Sequence, residues 1–367
     1  MIFQTVHIRS IRLTNFKSHS DAFLEFPERI SVFSGKNGSG KTNLLDALNH
    51  ISLLRSAFHR QDALNIRFGE EFYRLEASLE EHRKRHKLAI VCERDKKKQV
   101  SWDGKNLEKI ASHVGRVPMV MILPDEPFQM NESAEWRRNS IDNTLSQSFP
   151  EYLNHLSRFK RILAQRTALL KYFGEGRRFD EALLDAIDEE LAVESALLYQ
   201  LRMLHLPALT EALRMEYSFL SSGAEQVDLH YSSQLHTTSA LDLLKTSRRQ
   251  DLESGRTSAG LHRDDFDYQL EGVPLRKFGS QGQQKSFLLA MKLAQYKFLS
   301  AHCGKAPWLL LDDIFDKLDE ERISKLLERI SSPEMGQVFI TDAREERSRE
   351  LLSGIPCNFI SLEEIKK

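Results

Sequence analysis

The segment Ile30-Ser31-Val32-Phe33-Ser34-Gly35-Lys36-Asn37-Gly38-Ser39-Gly40-Lys41-Thr42-Asn43 decides how this chain folds. Ile30–Phe33 is an apolar run of strand length. Small residues follow, and from Thr42 the apolar residues Leu44, Leu45, Leu48 and Ile51 recur at helical spacing. Strand, glycine-rich turn and helix in that order make a phosphate-binding unit, and Gly35 to Thr42 is a complete G-x-x-x-x-G-K-T loop. Backbone N–H groups can curl round phosphate oxygens where side chains are small, and the helix N-terminus adds favourable partial charge. Lys41 is expected to reach the β- and γ-phosphates. Thr42 is expected to offer its hydroxyl to Mg2+, a hard cation that prefers oxygen ligands. Gly35, Lys36, Asn37, Gly38, Ser39, Gly40, Lys41, Thr42 and Asn43 are thus the first candidate nucleotide contacts.

Far downstream, Trp308-Leu309-Leu310-Leu311-Asp312-Asp313 is a short apolar run ending in two carboxylates. That pattern is a buried parallel strand whose C-terminal end opens on a ligand crevice. In this Walker B reading Asp312 holds Mg2+ and Asp313 orients or deprotonates the attacking water. Read alone, the pair also suits a strand followed by a helix cap. Between the two segments, Phe278-Gly279-Ser280-Gln281-Gly282-Gln283-Gln284-Lys285 opens a helix with Phe287, Met291, Ala294 and Phe298 on one face. A serine before a helix start makes a second anion-binding end, and equally an ordinary capped helix.

The rest of the chain frames these segments. Residues 6–33 read as strands broken at Pro27, and residues 71–107 as an antiparallel sheet with Asp103-Gly104 as a hairpin turn. That sheet carries two basic clusters, Arg83–Lys87 and Lys96–Lys98, which suit a solvated face or a phosphate contact. From about Ala134 to Ser222 the chain reads as a helical arm. Tyr152, Leu156, Phe159 and Leu163 form one stripe, Gly174-Glu175-Gly176 the turn, and Leu183, Ile187 and Leu191 a second stripe. No heptads continue into a long coiled coil. Ser232–Gly255 is polar and poorly patterned, and alternating strand and helix then resume. The expectation is an α/β head, a mixed sheet around the phosphate loop, from residues 1–118 and 255–367, with a mainly helical arm at 119–254.

Composition bounds the function less sharply. With 52 basic against 53 acidic residues and a net charge of -1, global charge predicts no polyanion partner, so any such contact must be local. Cys92, Cys303 and Cys357 are scattered, without metal-ligand spacing, which fits a reducing compartment. No run approaches about 20 apolar residues, so no membrane helix is expected, and the location expected is cytoplasmic.

Beyond the phosphate loop, Ser280–Lys285 resembles the signature segment of ABC ATPases, with Gln281 in place of its first glycine. Asp316-Lys317-Leu318-Asp319 resembles their D-loop, and Val338-Phe339-Ile340-Thr341 lies where they place a switch residue. Leu13-Thr14-Asn15-Phe16-Lys17, the Asp312-Asp313 pair, Ser280–Lys285 and Ala259-Gly260-Leu261-His262-Arg263-Asp264-Asp265 together resemble the RecF family of SMC/ABC-type ATPases. The departures are Leu261 where that family has proline and the absence of a clear Q-loop glutamine near Leu123–Phe128. The resemblance implies an SMC/ABC-type head that binds ATP and Mg2+, with Ser280, Gly282 and Gln283 facing the nucleotide of a second subunit. It implies Thr341 as a γ-phosphate sensor, Asp313 with Lys41 as catalytic residues, and Thr42 with Asp312 as metal ligands. It further implies a homodimer formed on ATP, weak ATP hydrolysis, double-stranded and gapped DNA as partner, and mediators of RecR and RecO type. Two other readings of the same head are a transporter's nucleotide subunit, in which phosphate loop and signature lie much closer in sequence, and a nucleotide-gated scaffold or defence ATPase that binds protein. His262–Asp265 has no assigned role and also suits a charged surface turn.

Overall fold

The computed structural model describes residues 4–174, 180–316 and 318–365. Glu175, Gly176 and Lys317, named above in the arm turn and the D-loop segment, lie outside the described residues. Two sheets enclose the helix that follows the phosphate loop. The first is five-stranded and wholly parallel, in the order Cys357–Ser361, Ile30–Ser34, Val338–Asp342, Trp308–Leu311, Met119–Ile122. Its strands are apolar on both faces, as a sheet covered on both sides requires. Phe33, Trp308, Leu310 and Phe339 face the loop helix Lys41–Leu53, while Ile30, Val32, Leu309, Leu311, Val338 and Ile340 face the helices of the arm and signature.

The second sheet is antiparallel, in the order His19–Glu25, His7–Phe16, Phe72–Glu81, Lys84–Glu93, Gln99–Trp102, Lys105–Asn106. Alternation assigns its faces: Ile8, Ile11, Leu13, Tyr73, Leu75, Leu79, Leu88 and Ile90 cover the loop helix. The solvent side carries pairs such as Arg12–Asp21 and Arg74–Glu76. Buried polar groups fix the register between the sheets. The Gln337 amide accepts from Ile8 N at 2.6 Å and donates to Ile8 O at 3.0 Å, and the Trp308 indole donates to Val6 O at 2.7 Å.

The arm is three helices, Ala134–Ser148, Pro150–Gly174 and Glu181–Leu220. Ser133 and Asp180 cap the first and third through their side chains, and Pro150 opens the second where its missing N–H costs nothing. The last helix has 40 residues, so it spans about 60 Å. Two buried arginines tie arm to head. Arg202 donates to Asp142 at 2.9 Å, Asp264 at 3.1 Å and the Tyr152 hydroxyl at 3.0 Å. Arg166 is fully buried among Asp188, Asp251 and Thr257.

Several expectations need correction. Met119–Ile122 does not open the arm; it is the edge strand of the parallel sheet beside Trp308–Leu311, so the head continues past residue 118. Val227–Ser232, expected in the arm, pairs antiparallel with Asp265–Leu270. The stretch read as poorly patterned contains the helix Ala240–Ser254, capped by Ser239 and ended by Gly255 in the left-handed region. Its buried face holds little more than Ala240, Leu244 and Asp251, too little for a visible stripe. The second arm stripe runs through Leu184, Leu191 and Leu198, whereas Leu183 is exposed. For His262–Asp265 the surface-turn alternative is the one set aside: Asp264 is buried against Arg202 and Tyr231, and Asp265 takes a bidentate contact from Arg137 at 2.8 and 2.7 Å.

Candidate nucleotide site

The phosphate loop leaves the C-terminal end of the strand Ile30–Ser34 and enters the helix Lys41–Leu53 through Gly40 at φ 102. That φ is in the region glycine alone adopts freely. A Cβ on Gly40 would sit 2.7 Å from Ser18 Oγ, and one on Gly35 2.9 Å from Ser39 Oγ. No side chain caps the helix that Gly40 begins. Its first-turn N–H groups have no intrahelical acceptor, which leaves a concentrated partial positive charge at the loop. Lys41 is buried and folds back on the loop, donating to Gly35 O at 2.8 Å and Lys36 O at 3.3 Å. Ser39 Oγ is buried without a hydrogen-bond partner among the described residues. Asn43 donates to Ser18 Oγ at 2.9 Å, and His19 Nε2 lies 3.2 Å from Gly40 O, so the antiparallel sheet braces the loop from one side.

Parallel pairing brings the distant carboxylates to this loop. Thr42 Oγ1 donates to Asp312, lying 3.1 and 3.0 Å from its two oxygens, and Thr341 Oγ1 donates to Asp312 Oδ1 at 2.7 Å. Thr341 Oγ1 also accepts from Asp313 N at 2.9 Å, so one buried hydroxyl locks the Asp312-Asp313 turn. Asp313 has φ 44, a left-handed conformation that Asp tolerates better than most residues. Burial raises the Asp312 pKa above the ordinary carboxylate value; the Thr341 and Thr42 hydroxyls and the Lys41 charge pull it back, and the Asp125 charge adds to the rise. An oxygen pair this constrained beside a threonine hydroxyl is a donor set for a hard divalent cation.

The structure therefore brings Gly35–Asn43, Asp312, Asp313 and Thr341 together. It places Ser280, Gly282 and Gln283 elsewhere: among the described residues no hydrogen bond links residues 280–285 to residues 35–43. Ser280 is exposed and caps the helix Gln281–Cys303, accepting from Gln283 N at 3.2 Å while Gln283 Oε1 accepts from Ser280 N at 2.7 Å. Gln283 Nε2 donates to Glu225 at 2.6 Å, and Asn131 donates to Gln284 at 2.8 Å. Deeper in that helix, buried Lys292 donates to Glu126 at 2.6 Å and to Met121 O at 2.7 Å. In the D-loop segment Asp319 caps the helix Glu320–Ser331.

Sequence reading passed over Asp125. It follows the strand next to Asp312's own and lies close enough to repel the Asp312 charge. The signal available was topological: a carboxylate just beyond the C-terminal end of a neighbouring parallel strand sits at the crevice. Among the described residues no helix is long and apolar enough to cross a membrane, and Cys92, Cys303 and Cys357 are free thiols.

Comparison with known proteins agrees with this geometry. The family model for the RecF/RecN/SMC N terminal domain matches residues 7–355. A protein of Flavobacterium johnsoniae called DNA replication and repair protein RecF is 37% identical over 95% of this chain and 97% of its own length. The Cytophaga hutchinsonii protein of the same name is 38% identical, covering 94% of this chain and 91% of its own. A solved structure of the recombination mediator protein RecF of the RecFOR pathway with ATPrS superposes with a TM-score of 0.87 at 26% identity, covering 98% of both chains. An Smc head bound to the C-winged helix domain of ScpA shares the fold alone, at 14% identity and a TM-score of 0.53, over 92% of this chain and 90% of that one. This chain thus belongs to the RecF family of the RecF/RecN/SMC ATPases.

Proposed function

We propose that this chain is an ATP-gated DNA clamp of recombinational repair and replication, which dimerises on ATP and releases on hydrolysis. One observation carries the reading. The phosphate loop and the signature serine open two helix N-termini in one chain, yet they do not meet, so Ser280, Gly282 and Gln283 complete the site of a second copy. A two-fold pair satisfies both sites at once. In that pair Gly35–Asn43 wrap the phosphates, and Lys41 leaves its two loop carbonyls for the β- and γ-oxygens. Thr42 and Asp312 hold Mg2+, which supplies charge neutralisation on the phosphates. Asp313 orients the attacking water, and Thr341 acts by fixing the Asp312-Asp313 turn. The head comprises both sheets, and the arm begins at the Ala134 helix.

The RecF relatives, named for DNA replication and repair, support duplex and gapped DNA as the partner and RecR- and RecO-type mediators as co-workers, and favour this reading over a protein-binding scaffold. The test is dimerisation with ATP, with and without duplex DNA, for wild type, Lys41→Arg and Asp313→Asn. Asp313→Asn should accumulate ATP-bound dimer and Lys41→Arg should not. A wild type that stays monomeric with ATP and DNA sinks the reading. DNA binding through several phosphates should also weaken steeply with salt.

A further inference from the structure

The signature helix Gln281–Cys303 begins beside the end of the arm, and one carboxylate joins the two. Glu225 lies in the connection between the arm helix Glu181–Leu220 and the strand Val227–Ser232. Its Oε1 accepts from Gln283 Nε2 at 2.6 Å, and its Oε2 accepts from the Tyr217 hydroxyl, also at 2.6 Å. Tyr217 is buried in the last turn of the arm helix, where burial and then the Glu225 hydrogen bond raise its pKa, so the hydroxyl stays a donor. The connection itself is held on both sides of Glu225. Lys325 donates to Phe219 O at 2.9 Å, Leu220 O at 3.1 Å and Ser222 Oγ at 2.6 Å, and Gln226 pairs with Glu271.

The Gln283 amide is used at both ends. Its carbonyl accepts from Ser280 N at 2.7 Å while its NH2 group donates to Glu225. Gln284 is held likewise, donating to Gly279 O at 3.0 Å and accepting from Asn131 at 2.8 Å. The capping box satisfies Ser280 N and Gln283 N. Among the described residues the Gln281 and Gly282 N–H groups and the Ser280 hydroxyl proton have no acceptor. Three donors at a helix start suit a phosphate oxygen.

We propose that Glu225 is a positioning residue of the composite ATP site, setting the rotamer of Gln283 and through it the three donors offered to the phosphates of a second copy. Glu225 has this role only if the clamp reading holds. Because Tyr217 grips its other oxygen, the signature takes its pose from the base of the arm. Two effects of opposite sign meet at this residue. As an acceptor Glu225 orders Gln283; as a charge it repels an incoming phosphate. Glu225→Gln separates them, since an amide carbonyl still accepts from Gln283 Nε2 and carries no charge.

The experiment is sedimentation of the full chain with Mg2+ and a non-hydrolysable ATP analogue across a concentration series, for wild type, Glu225→Ala and Glu225→Gln. Each dimer contains two signatures, so a loss of roughly threefold at each multiplies to about tenfold in dimer affinity. Glu225→Ala should dimerise about tenfold more weakly, and Glu225→Gln within about twofold of wild type. The ATP affinity of the dilute monomer should be the same in all three, because the phosphate loop is untouched. Tyr217→Phe frees one oxygen of Glu225 and leaves Gln283 its acceptor, so it should fall between, and it reads the same link should Glu225→Ala melt early. Equal dimerisation by wild type and Glu225→Ala overturns the proposal. So does tighter dimerisation by both Glu225 variants, which would make the carboxylate a repelling charge only, or equal weakening by both, which would make its charge the cause. A Glu225→Ala monomer that also loses ATP would mark a residue of the fold and overturn it too. Each of these outcomes leaves the clamp reading standing, whereas a wild type that stays monomeric with the analogue sinks that reading and this role with it.

Discussion

Two helix starts in this molecule look alike in sequence and differ in physical state. Gly40 starts the helix Lys41–Leu53 with no side-chain cap, and the nearest cation, Lys41, is buried and turned onto loop carbonyls. Ser280 starts the helix Gln281–Cys303 with a complete capping box, and Gln283 is further tied to Glu225. The first is built open, its left-handed Gly40 adopted without strain and braced by the antiparallel sheet, so an anion meets amides already oriented. The second satisfies itself and stands exposed. A phosphate arriving there would have to compete with the helix's own cap, which on the proposed reading happens only when a second copy presents it in place. On the proposed reading, preorganisation at one end lets the loop take ATP first, and self-satisfaction at the other leaves the signature end to engage only within a dimer.

The largest way to break this contrast is Lys41→Met. Hydrogen bonds to a charged group contribute about 1.5–3 kcal/mol, so ATP should bind on the order of 100-fold more weakly in equilibrium titration, a change of about 2.7 kcal/mol. An unchanged Kd would mean the loop is not the nucleotide site. Next is a matched glycine pair. Gly40→Ala puts a side chain on a left-handed residue and a Cβ 2.7 Å from Ser18 Oγ, whereas the Cβ of Gly282→Ala would meet nothing nearer than Arg322 at 3.4 Å. Thermal unfolding should show about 1–3 kcal/mol lost at Gly40 and within about 0.5 kcal/mol at Gly282. Equal losses would erase the distinction between the two turns.

A third test separates cap from phosphate contact at Ser280. Ser280→Ala should cost about 1 kcal/mol of stability, as N-cap removal does. Ser280→Asp keeps the cap, so stability should hold while ATP-dependent dimerisation falls at least tenfold, because the new carboxylate faces phosphate. If both variants dimerise like wild type, Ser280 is a cap and nothing more.

The difference between these regions was only partly legible in the sequence. Spacing alone exposed the phosphate loop and the Asp312-Asp313 strand, since both depend on local order: small residues before Lys41, and apolar residues before a carboxylate. Met119–Ile122 was misplaced because four consecutive apolar residues carry no period, and only pairing with Trp308–Leu311 makes them a strand of the head. Asp125 was missed for the same reason, its meaning coming from the strand it follows. For Asp264 and Asp265 a surface turn stayed open as an alternative because their partners, Arg202 and Arg137, lie far off in sequence. Ser239 and Gly255 did mark the ends of a helix, yet Asp251 held by Arg166 stands where an apolar stripe would have announced it.

The smallest effect concerns Asp312, and it follows from the sign of its pKa shift. Burial raises that pKa in the folded chain, so between the ordinary carboxylate value and the raised one the native state keeps a proton that the unfolded state has lost. Stability then falls as pH climbs through that window, because stability rises with pH only where the unfolded state binds more protons. Asp312→Asn removes the titration and keeps an oxygen to accept from Thr42 or Thr341. The nucleotide-free variant should melt slightly higher than wild type above the window and match it below, while losing ATP hydrolysis. Mg2+ should reverse the trend for wild type alone, since a metal stabilises the ionised carboxylate and its affinity should rise with pH across the same window. A wild type whose melting temperature ignores both pH there and Mg2+ with ATP would show that Asp312 is a structural link between Thr42 and Thr341 and no metal ligand.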